Sequence, residues 1–326
     1  MTRLNFKELL KELRLKKDTL IFCHKNPDPD TLGSAFALKC VLELLGSKAC
    51  VCCADKPNPK FDFISSPSGL VAPLESVDGY ERLIAIDVGS ASQLGAYSIF
   101  ADKINLTIDH HENSSRFSSY YEDFTPACAM IVYQIAKKLK LLKRLPRHFF
   151  ECVYAGLSGD TGCFKYSNTN PSALIMASEL VVSGIDFADI NYRIFDSKSQ
   201  GEISAIRMAY ENVVMLCDGA LAILMVTNDT KATYAITDDD IGDIVNTVRQ
   251  IQGVLIAVTM KQSQEGDRFS ISSRANEEID VSALCATIGG GGHPRAAGAT
   301  LMEGDPESAF KKIRTVFERG INEYRR

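Results

Sequence analysis

Short apolar runs alternate with segments of helical period through the first half of the chain. Thr19–Cys23 (TLIFC) is an apolar run too short for a helix, and after a polar loop a helical pattern extends from Thr31 to Leu45. Ala49–Cys53 is a second short run, Arg82–Ile86 leads into a third and Lys103–Ile108 into a fourth. Helical patterns cover Cys128–Leu142 and run from Arg147 towards Leu157. This alternation predicts a parallel sheet with helices on both faces. Ligands of such sheets sit beyond the carboxyl ends of the strands, so residues at those ends draw attention first.

Further along, Thr169-Asn170-Pro171 supplies a cap and a first-turn proline for a helix opening near Ser172. Ser199–Met215 reads as a helical connector. The pattern then restarts: Leu221–Val226 as a strand, Asp238–Gln250 as a helix, Val254–Thr259 and Arg268–Ser273 as strands, and Pro306–Tyr324 as a closing helix. A glycine run, Gly289–Gly292, interrupts the last part. The expected organisation is an α/β domain over residues 1–190, a helical linker over 191–216 and a smaller α/β domain over 217–326.

Composition adds limits. At 326 residues, 45% apolar and 24% charged, the chain is long enough for two domains. Its net charge of −5 argues against an extended duplex binder, because each phosphate neutralised by a basic surface adds to such binding. A small anionic substrate stays open, since a metal site supplies local positive charge whatever the overall balance. No run of about 18 apolar residues suggests a membrane span. The amphipathic start, MTRLNFKELLKELRLKK, lacks the apolar core of a signal peptide. A cytoplasmic protein without a membrane partner is the expectation. Ten cysteines, mostly in apolar segments, fit buried free thiols in a reducing compartment. Cys50 and Cys53 form a C-x-x-C, but no second pair follows at zinc-ribbon spacing.

Candidate chemistry concentrates in a few polar segments. Four of the five histidines fall in them, and His148 alone reads as a helix-surface residue. The segments are His24-Lys-Asn-Pro-Asp28-Pro-Asp30, Asp87-Val-Gly-Ser, Asp109-His110-His111, Gly159-Asp160-Thr-Gly and Gly289-Gly-Gly-Gly-His293. Pro27 and Pro29 break any strand ladder, so His24, Asp28 and Asp30 belong to a turning segment that can aim both carboxylates at one point. Carboxylates brought that close repel unless a cation sits between them. Asp87 and Asp109 each end an apolar run. Taken singly, each has an ordinary reading: a strand-end Asp as a helix cap, Asp160 before Thr161-Gly162 as a turn. Together, at successive strand ends, they point to a hard or borderline divalent ion such as Mn²⁺, with no thiolate in the loops.

The set resembles the DHH phosphoesterase superfamily, and the C-terminal stretch resembles its DHHA1 domain. The signature stands as Asp109-His110-His111, the first motif as His24…Asp28-Pro-Asp30…Gly33-Ser34, and the others as Asp87 and Asp160-Thr-Gly. GGGGHPRAAG, preceded by Arg274 in ISSRA, is the most specific element. Length and layout look like the nanoRNase and pAp-phosphatase branch, often described as exopolyphosphatase-like. The resemblance implies two Mn²⁺ ions, with Mg²⁺ or Co²⁺ as alternatives. His24, Asp28 and Asp87 would hold one, and Asp30, Asp87, His110 and Asp160 the other, with Asp87 shared. His111 would face the substrate phosphate and Asp109 would orient the histidines. His293, Arg274, Arg295 and the glycines Gly290, Gly291 and Gly292 would bind substrate, the glycine amides approaching an anion closely. The implied reaction is hydrolysis of short oligonucleotides, and of 3′-phosphoadenosine 5′-phosphate, by a hydroxide bridging the ions. Exopolyphosphatase or pyrophosphatase activity is the alternative, and an inactive nucleotide-binding module the second. Phe164 and Tyr166 are candidates for stacking a base or for packing. The resemblance admits a homodimer, with no interface legible in the residues.

Overall fold

The computed structural model describes residues 2–65, 70–71, 74–111, 117–242 and 244–325. The chain divides into two units, Met1–Ser197 and Lys198–Arg326. Among the described residues no helix is long and apolar enough to cross a membrane.

In the first unit the apolar runs form strands β1 (Thr19–Phe22), β2 (Ala49–Cys52), β3 (Arg82–Ile86) and β4 (Leu106–Asp109). A fifth strand, β5 (Ser119–Glu122), joins the edge, and the order is β2-β1-β3-β4-β5 with every pair parallel. The helices are α1 (Phe6–Leu13), α2 (Pro29–Leu44), α3 (Cys128–Lys138), α4 (Arg147–Asp160) and α5 (Pro171–Val182). Ile21, Ile84, Ile86 and Ile108 point to one face, where they bury against Leu32 and Phe36 of α2, Ile131 of α3 and Val153 of α4. Leu20, Phe22, Leu83 and Ala85 point to the other, against Leu94, Tyr97 and Phe100 of the 3-10 turns Ala91–Lys103. Burial on both faces is why these strands read as continuous apolar runs rather than alternating ones. The fourth strand begins at Leu106, later than expected from Lys103, because those turns continue to Lys103.

The sequence of α2 shows how the site is delivered. Asp28 caps the helix by accepting the backbone N–H groups of Asp30 and Thr31, each at 2.9 Å, and Pro29 takes the first helical position. The helix therefore starts two residues before the expected Thr31, and Asp30 lies in its first turn. Gly33 and Gly156 let α2 and α4 approach closely: a Cβ on Gly33 would lie 2.3 Å from Cys152 O, and one on Gly156 would lie 2.6 Å from Asp30 Oδ1.

The second unit carries β6 (Val214–Leu216), β7 (Leu221–Val226), β8 (Ile256–Gln262), β9 (Phe269–Ala275), β10 (Gly291–His293) and β11 (Ala296–Leu301), in the order β10-β11-β9-β8-β7-β6. Among its described residues only β7 and β8 pair in parallel. Its main helices are α6 (Gln200–Asn212), α7 (Val281–Ala286) and α8 (Pro306–Tyr324). The helix expected as a connector, α6, packs within this unit: Ala205, Met208 and Ala209 bury against Leu224, Val226 and Ala257. On the opposite face Ile313 and Phe317 of α8 meet Val258, Met260 and Ile271. The single helix expected over Asp238–Gln250 is instead two short ones, Asp238–Ile241 and Val245–Arg249, parted at Gly242 with φ +42°. Asp243, within that expected span, lies outside the described residues.

Candidate metal centre

Three adjacent strands of the first sheet end in acidic or imidazole residues on the same side. β1 leads through Cys23 to His24, β3 ends one residue before Asp87, and β4 ends in Asp109, followed by His110 and His111. Helix α2 adds Asp28 and Asp30 from its start, and α4 adds Asp160 at its end. The close seam of the two helices at Gly33 and Gly156 brings Asp160 towards this group. Asp87 is nearly fully buried and sits in the left-handed region, with φ +57°. A non-glycine residue held there costs on the order of 1–2 kcal/mol, which the surroundings must offset.

Asp87 is the meeting point. His24 Nε2 lies 3.5 Å from Asp28 Oδ2 and 3.7 Å from Asp87 Oδ2. His110 Nε2 lies 3.3 Å from Asp87 Oδ1, 3.4 Å from Asp160 Oδ2 and 3.8 Å from Asp30 Oδ2. His111 Nδ1 lies 3.7 Å from Asp87 Oδ1. Three groups of candidate ligands, His24 with Asp28 and Asp87, Asp30 with His110 and Asp160, and Asp87 with His110 and His111, keep their donor atoms within 4.8 Å of one another.

The far nitrogens of the histidines are fixed by protein partners. Nδ1 of His24 meets Lys25 O at 2.7 Å, and Nδ1 of His110 meets Thr125 O at 2.9 Å. A carbonyl accepts only, so each Nδ1 carries a proton and each Nε2 is turned towards the carboxylates. Asp109 Oδ1 accepts Nδ1–H of His111 at 2.7 Å and the backbone N–H of His110 at 2.8 Å. Asp30 is held as firmly. Its carboxylate accepts the backbone N–H groups of Cys128 and Ala129 at 2.6 and 2.9 Å, at the start of α3, and the Ser34 hydroxyl at 3.2 Å. Ser34 is thus a buried helix residue that positions Asp30, while Thr161 donates to Leu157 O as a helix-end residue.

The electrostatics ask for added positive charge. Burial, then the charge of Asp87, pushes Asp30 up to about 7. Burial and the Asp30, Asp28 and Asp87 carboxylates push Asp160 well above the usual range. Burial disfavours charge on His110, but Asp87, Asp30 and Asp160 overcome it and raise the imidazole to about 11. The same contest, with Asp28 foremost and then Asp87, raises His24 to about 10. Carboxylates that favour protons and imidazoles that favour charge are the response of a buried cluster rich in carboxylates. Among the described residues, two buried atoms, Asp87 Oδ1 and His110 Nε2, face each other at 3.3 Å without a well-aligned hydrogen bond to any group. Buried polar atoms are rarely left so, and an ion is one of the few things that explains them. Oxygen and imidazole donors without a thiolate fit a divalent cation of hard or borderline character. The buried thiols beside the cluster are turned to backbone carbonyls, Cys128 donating to Ile108 O at 3.6 Å and Cys23 to Thr31 O at 3.8 Å, and all ten cysteines are free.

Residues expected outside the centre stay outside it. His148 lies on α4, half-buried with its Nε2 3.4 Å from Cys152 Sγ, rather than on an open helix surface. Phe164 packs its ring against Tyr154, while Tyr166 is 41% exposed and lies over Gly162, two residues after Asp160.

In the second unit, Pro294 and Arg295 close a hairpin between β10 and β11. His293 pairs with Ala296, Ala296 with Arg274, and Arg274 with Ala257, so the four share one face of the sheet. Ala257 buries on the α6 side, which places Arg274 and His293 on the face away from α8. His293 and Arg295 are exposed and Arg274 is half-buried. The glycines have reasons within the fold. Gly289 and Gly290 donate their amides to Ala286 O and Cys285 O at the end of α7. A Cβ on Gly290 would lie 2.1 Å from Gly298 O, one on Gly292 would lie 2.6 Å from Ala296 O, while Gly289 and Gly291 face open space. The amides of Gly289 and Gly290 are therefore already used, and an anion approaching this loop meets the open surface at Gly291.

The supporting residues were the least visible from sequence. Lys25, Thr125, Cys128 and Ala129 act through backbone groups, which leave no side-chain signal. Gly156 and Gly159, one helical turn apart just before Asp160, are the signal that could have announced the seam.

Comparison with known proteins agrees with this architecture. The model of the DHH family, N-terminal domain, matches residues 18–157, and the DHHA1 domain model matches residues 220–323. The bifunctional oligoribonuclease and PAP phosphatase NrnA of Thermus thermophilus is 27% identical over 294 residues, covering 90% of this chain and 87% of that protein. Its namesake from Bacillus subtilis is 24% identical over 308 residues, 91% of this chain and 94% of that protein. Among solved structures, an exopolyphosphatase-related protein from Bacteroides fragilis superposes with a TM-score of 0.85 at 19% identity, over 97% of this chain and 95% of that one, a likeness of fold. With the signature Asp109-His110-His111 at the carboxyl end of β4 and the glycine hairpin in its second unit, the chain is a member of the DHH family that carries a DHHA1 domain.

Proposed function

We propose that this protein is a metal-dependent phosphoesterase that hydrolyses very short oligonucleotides and removes the 3′-phosphate of 3′-phosphoadenosine 5′-phosphate. The observation that carries the proposal is the orphaned pair Asp87 Oδ1 and His110 Nε2, buried among carboxylates and imidazoles whose orientation the backbone fixes. The activities named for the relatives, oligoribonuclease and PAP phosphatase, give the substrate class.

His24, Asp28 and Asp87 would hold one divalent ion, and Asp30, Asp87, His110 and Asp160 the other. Bound there, such cations would supply positive charge to the phosphoryl oxygens and make water a competent nucleophile near neutral pH. The protein's own groups do the rest. Asp109 fixes the proton of His111 at Nδ1 and favours its charged form, so its Nε2–H can donate to a phosphate oxygen. Amides at the start of α3 keep the Asp30 carboxylate turned inward. Arg274 and His293, on one sheet face beside the exposed Arg295 and open Gly291, bind the substrate's second phosphate or terminal nucleotide. Tyr166 is the base-stacking candidate, because Phe164 is committed to Tyr154. Manganese is the proposed ion, since mixed carboxylate and imidazole donors suit it; magnesium and cobalt are the alternatives. The ten free cysteines fit the cytoplasm.

The test is a substrate panel. Metal-loaded protein should release nucleotides from a labelled dinucleotide and phosphate from 3′-phosphoadenosine 5′-phosphate, should leave polyphosphate largely intact, and should lose activity with chelator. Polyphosphate turned over in preference to both nucleotides would overturn the substrate assignment, and activity indifferent to chelator would overturn the metal assignment.

A further inference from the structure

We propose that Phe124 is a stacking platform for a nucleobase of the substrate, set beside the candidate metal centre. The inference rests on the nucleotide reading above and names a residue that determines its specificity. Phe124 is a large apolar ring with no polar atom of its own, and it is 54% exposed. It follows β5, whose last residue, Glu122, pairs with Asp109 of β4. The ring therefore stands beyond the carboxyl ends of these strands, on the same side as the candidate ligands, where such sheets take their substrates.

The chain on both sides of Phe124 is tied to the centre through its backbone. The N–H of Asp123 donates to Asp109 O at 3.3 Å. Thr125 O meets His110 Nδ1 at 2.9 Å. Pro126 O accepts from the Asn168 side-chain amide at 3.3 Å, and the same amide donates to Asp160 O at 3.0 Å. Cys128 and Ala129 complete the run with their bonds to Asp30. One peptide separates Phe124 from the carbonyl that fixes His110, which puts its Cα within about 9 Å of His110 Nδ1. A ring exposed on a segment so firmly held is a preorganised surface, and little freedom is lost when a second ring lies on it.

The chemistry of this rim selects the occupant. Glu122 and the exposed Asp123 precede the ring, so a phosphate is disfavoured here. A phenyl face offers no hydrogen bond to a sugar hydroxyl. The neutral, planar face of a base is what such a ring accepts, and every base has one. Tyr166, on the Asp160 side of the Asn168 link, is a separate aromatic contact. Two rings on two linked loops suit a substrate that carries a base on either side of the scissile phosphate. Stacking reads no base edge, so Phe124 demands a base without choosing among bases.

Steady-state kinetics on the full, metal-loaded chain test this, with a dinucleotide and its two abasic counterparts, each lacking one base. Phe124→Ala should raise KM for the dinucleotide about tenfold, with kcat, bound metal and melting temperature little changed. Phe124→Trp should restore KM and Phe124→Leu should not, since the contact needs a ring rather than apolar bulk. For one abasic compound the losses of ring and base should not add, the sign that both removals break a single contact. An unchanged KM in Phe124→Ala, equal rescue by Leu and Trp, or full additivity with both abasic compounds would overturn this inference alone. Parent protein that cleaves neither the dinucleotide nor 3′-phosphoadenosine 5′-phosphate would overturn the proposed function itself, and the platform with it.

Discussion

The two units of the molecule present their polar chemistry in opposite ways. In the first, seven acidic or imidazole residues from three strand ends and two helices meet in a largely buried space, with Asp30 and Asp87 almost without solvent contact. In the second, Arg274 lies half-buried on β9, and His293 and Arg295 lie exposed on the hairpin that pairs with it. Buried like charges raise the energy of the fold until a cation joins them, so such a site is built for a permanent occupant. Exposed donors are solvated well enough without a ligand and suit one that comes and goes. The difference separates what must stay from what must turn over.

Removing the permanent occupant should produce the largest effect. Asp87→Asn takes away the carboxylate that faces both His24 and His110. Turnover should fall by about a thousandfold or more, consistent with loss of a directly stabilising group at a reacting centre, and elemental analysis should find less metal per chain. Near-normal turnover in metal-replete buffer would break the contrast between the units. The metal-free protein should also respond to pH with a defined sign. Asp30 is raised from 3.8 to about 7, so ionising it costs stability as pH rises through that window. His24 and His110, raised to about 10 and about 11, contribute stability in full below about 6.5 and lose it as pH rises towards those values. Metal binding moves the other way, because the ion displaces these protons and binds more tightly at higher pH. The gap in melting temperature between loaded and metal-free protein should therefore widen from pH 5 to pH 8. A constant gap would mean that ligands and protons do not compete.

A smaller change probes the support of the centre. Gly156→Ala places a methyl group 2.6 Å from Asp30 Oδ1 and 2.7 Å from Ala129 Cβ, so helix or carboxylate must shift. Metal affinity should fall by about ten- to a hundredfold, the range for losing a group that orients a ligand. Calorimetric titration with manganese measures it, and unchanged affinity would show that the α2–α4 seam does not set the position of Asp30.

Much of this contrast was legible beforehand, and unevenly. The strands Arg82–Ile86 and Leu221–Val226 and the helix Pro306–Tyr324 match their expected bounds, because continuous apolar runs and a capped amphipathic period are strong signals. β5 (SYYE) escaped notice, since a half-buried edge strand needs no apolar run. The helix over Asp238–Gln250 failed at Gly242, whose positive φ no period reveals. The candidate ligands stood out as polar residues at strand ends. Their anchoring to Lys25 O, Thr125 O and the amides of Cys128 and Ala129 did not, because backbone partners are set by tertiary folding alone.

The glycine hairpin offers the sharpest separation of the two roles, with the smallest expected effect. His293 lies on the exposed edge strand β10, in the second unit, and shares a sheet face with Arg274. If it binds substrate only, His293→Ala removes one charge-assisted contact to a phosphate, worth about 1.5–3 kcal/mol, or roughly ten- to a hundredfold in KM. The bound metal should not change, and neither should the pH response of the melting temperature, since both belong to the buried cluster. A second substrate sharpens the reading. A small activated phosphodiester without a terminal phosphate has nothing for this hairpin to hold, so its turnover should be nearly the same in variant and parent. Loss of metal in His293→Ala, or an equal loss on both substrates, would mean that the exposed face shares the work of the buried one and that the division drawn between the units is false.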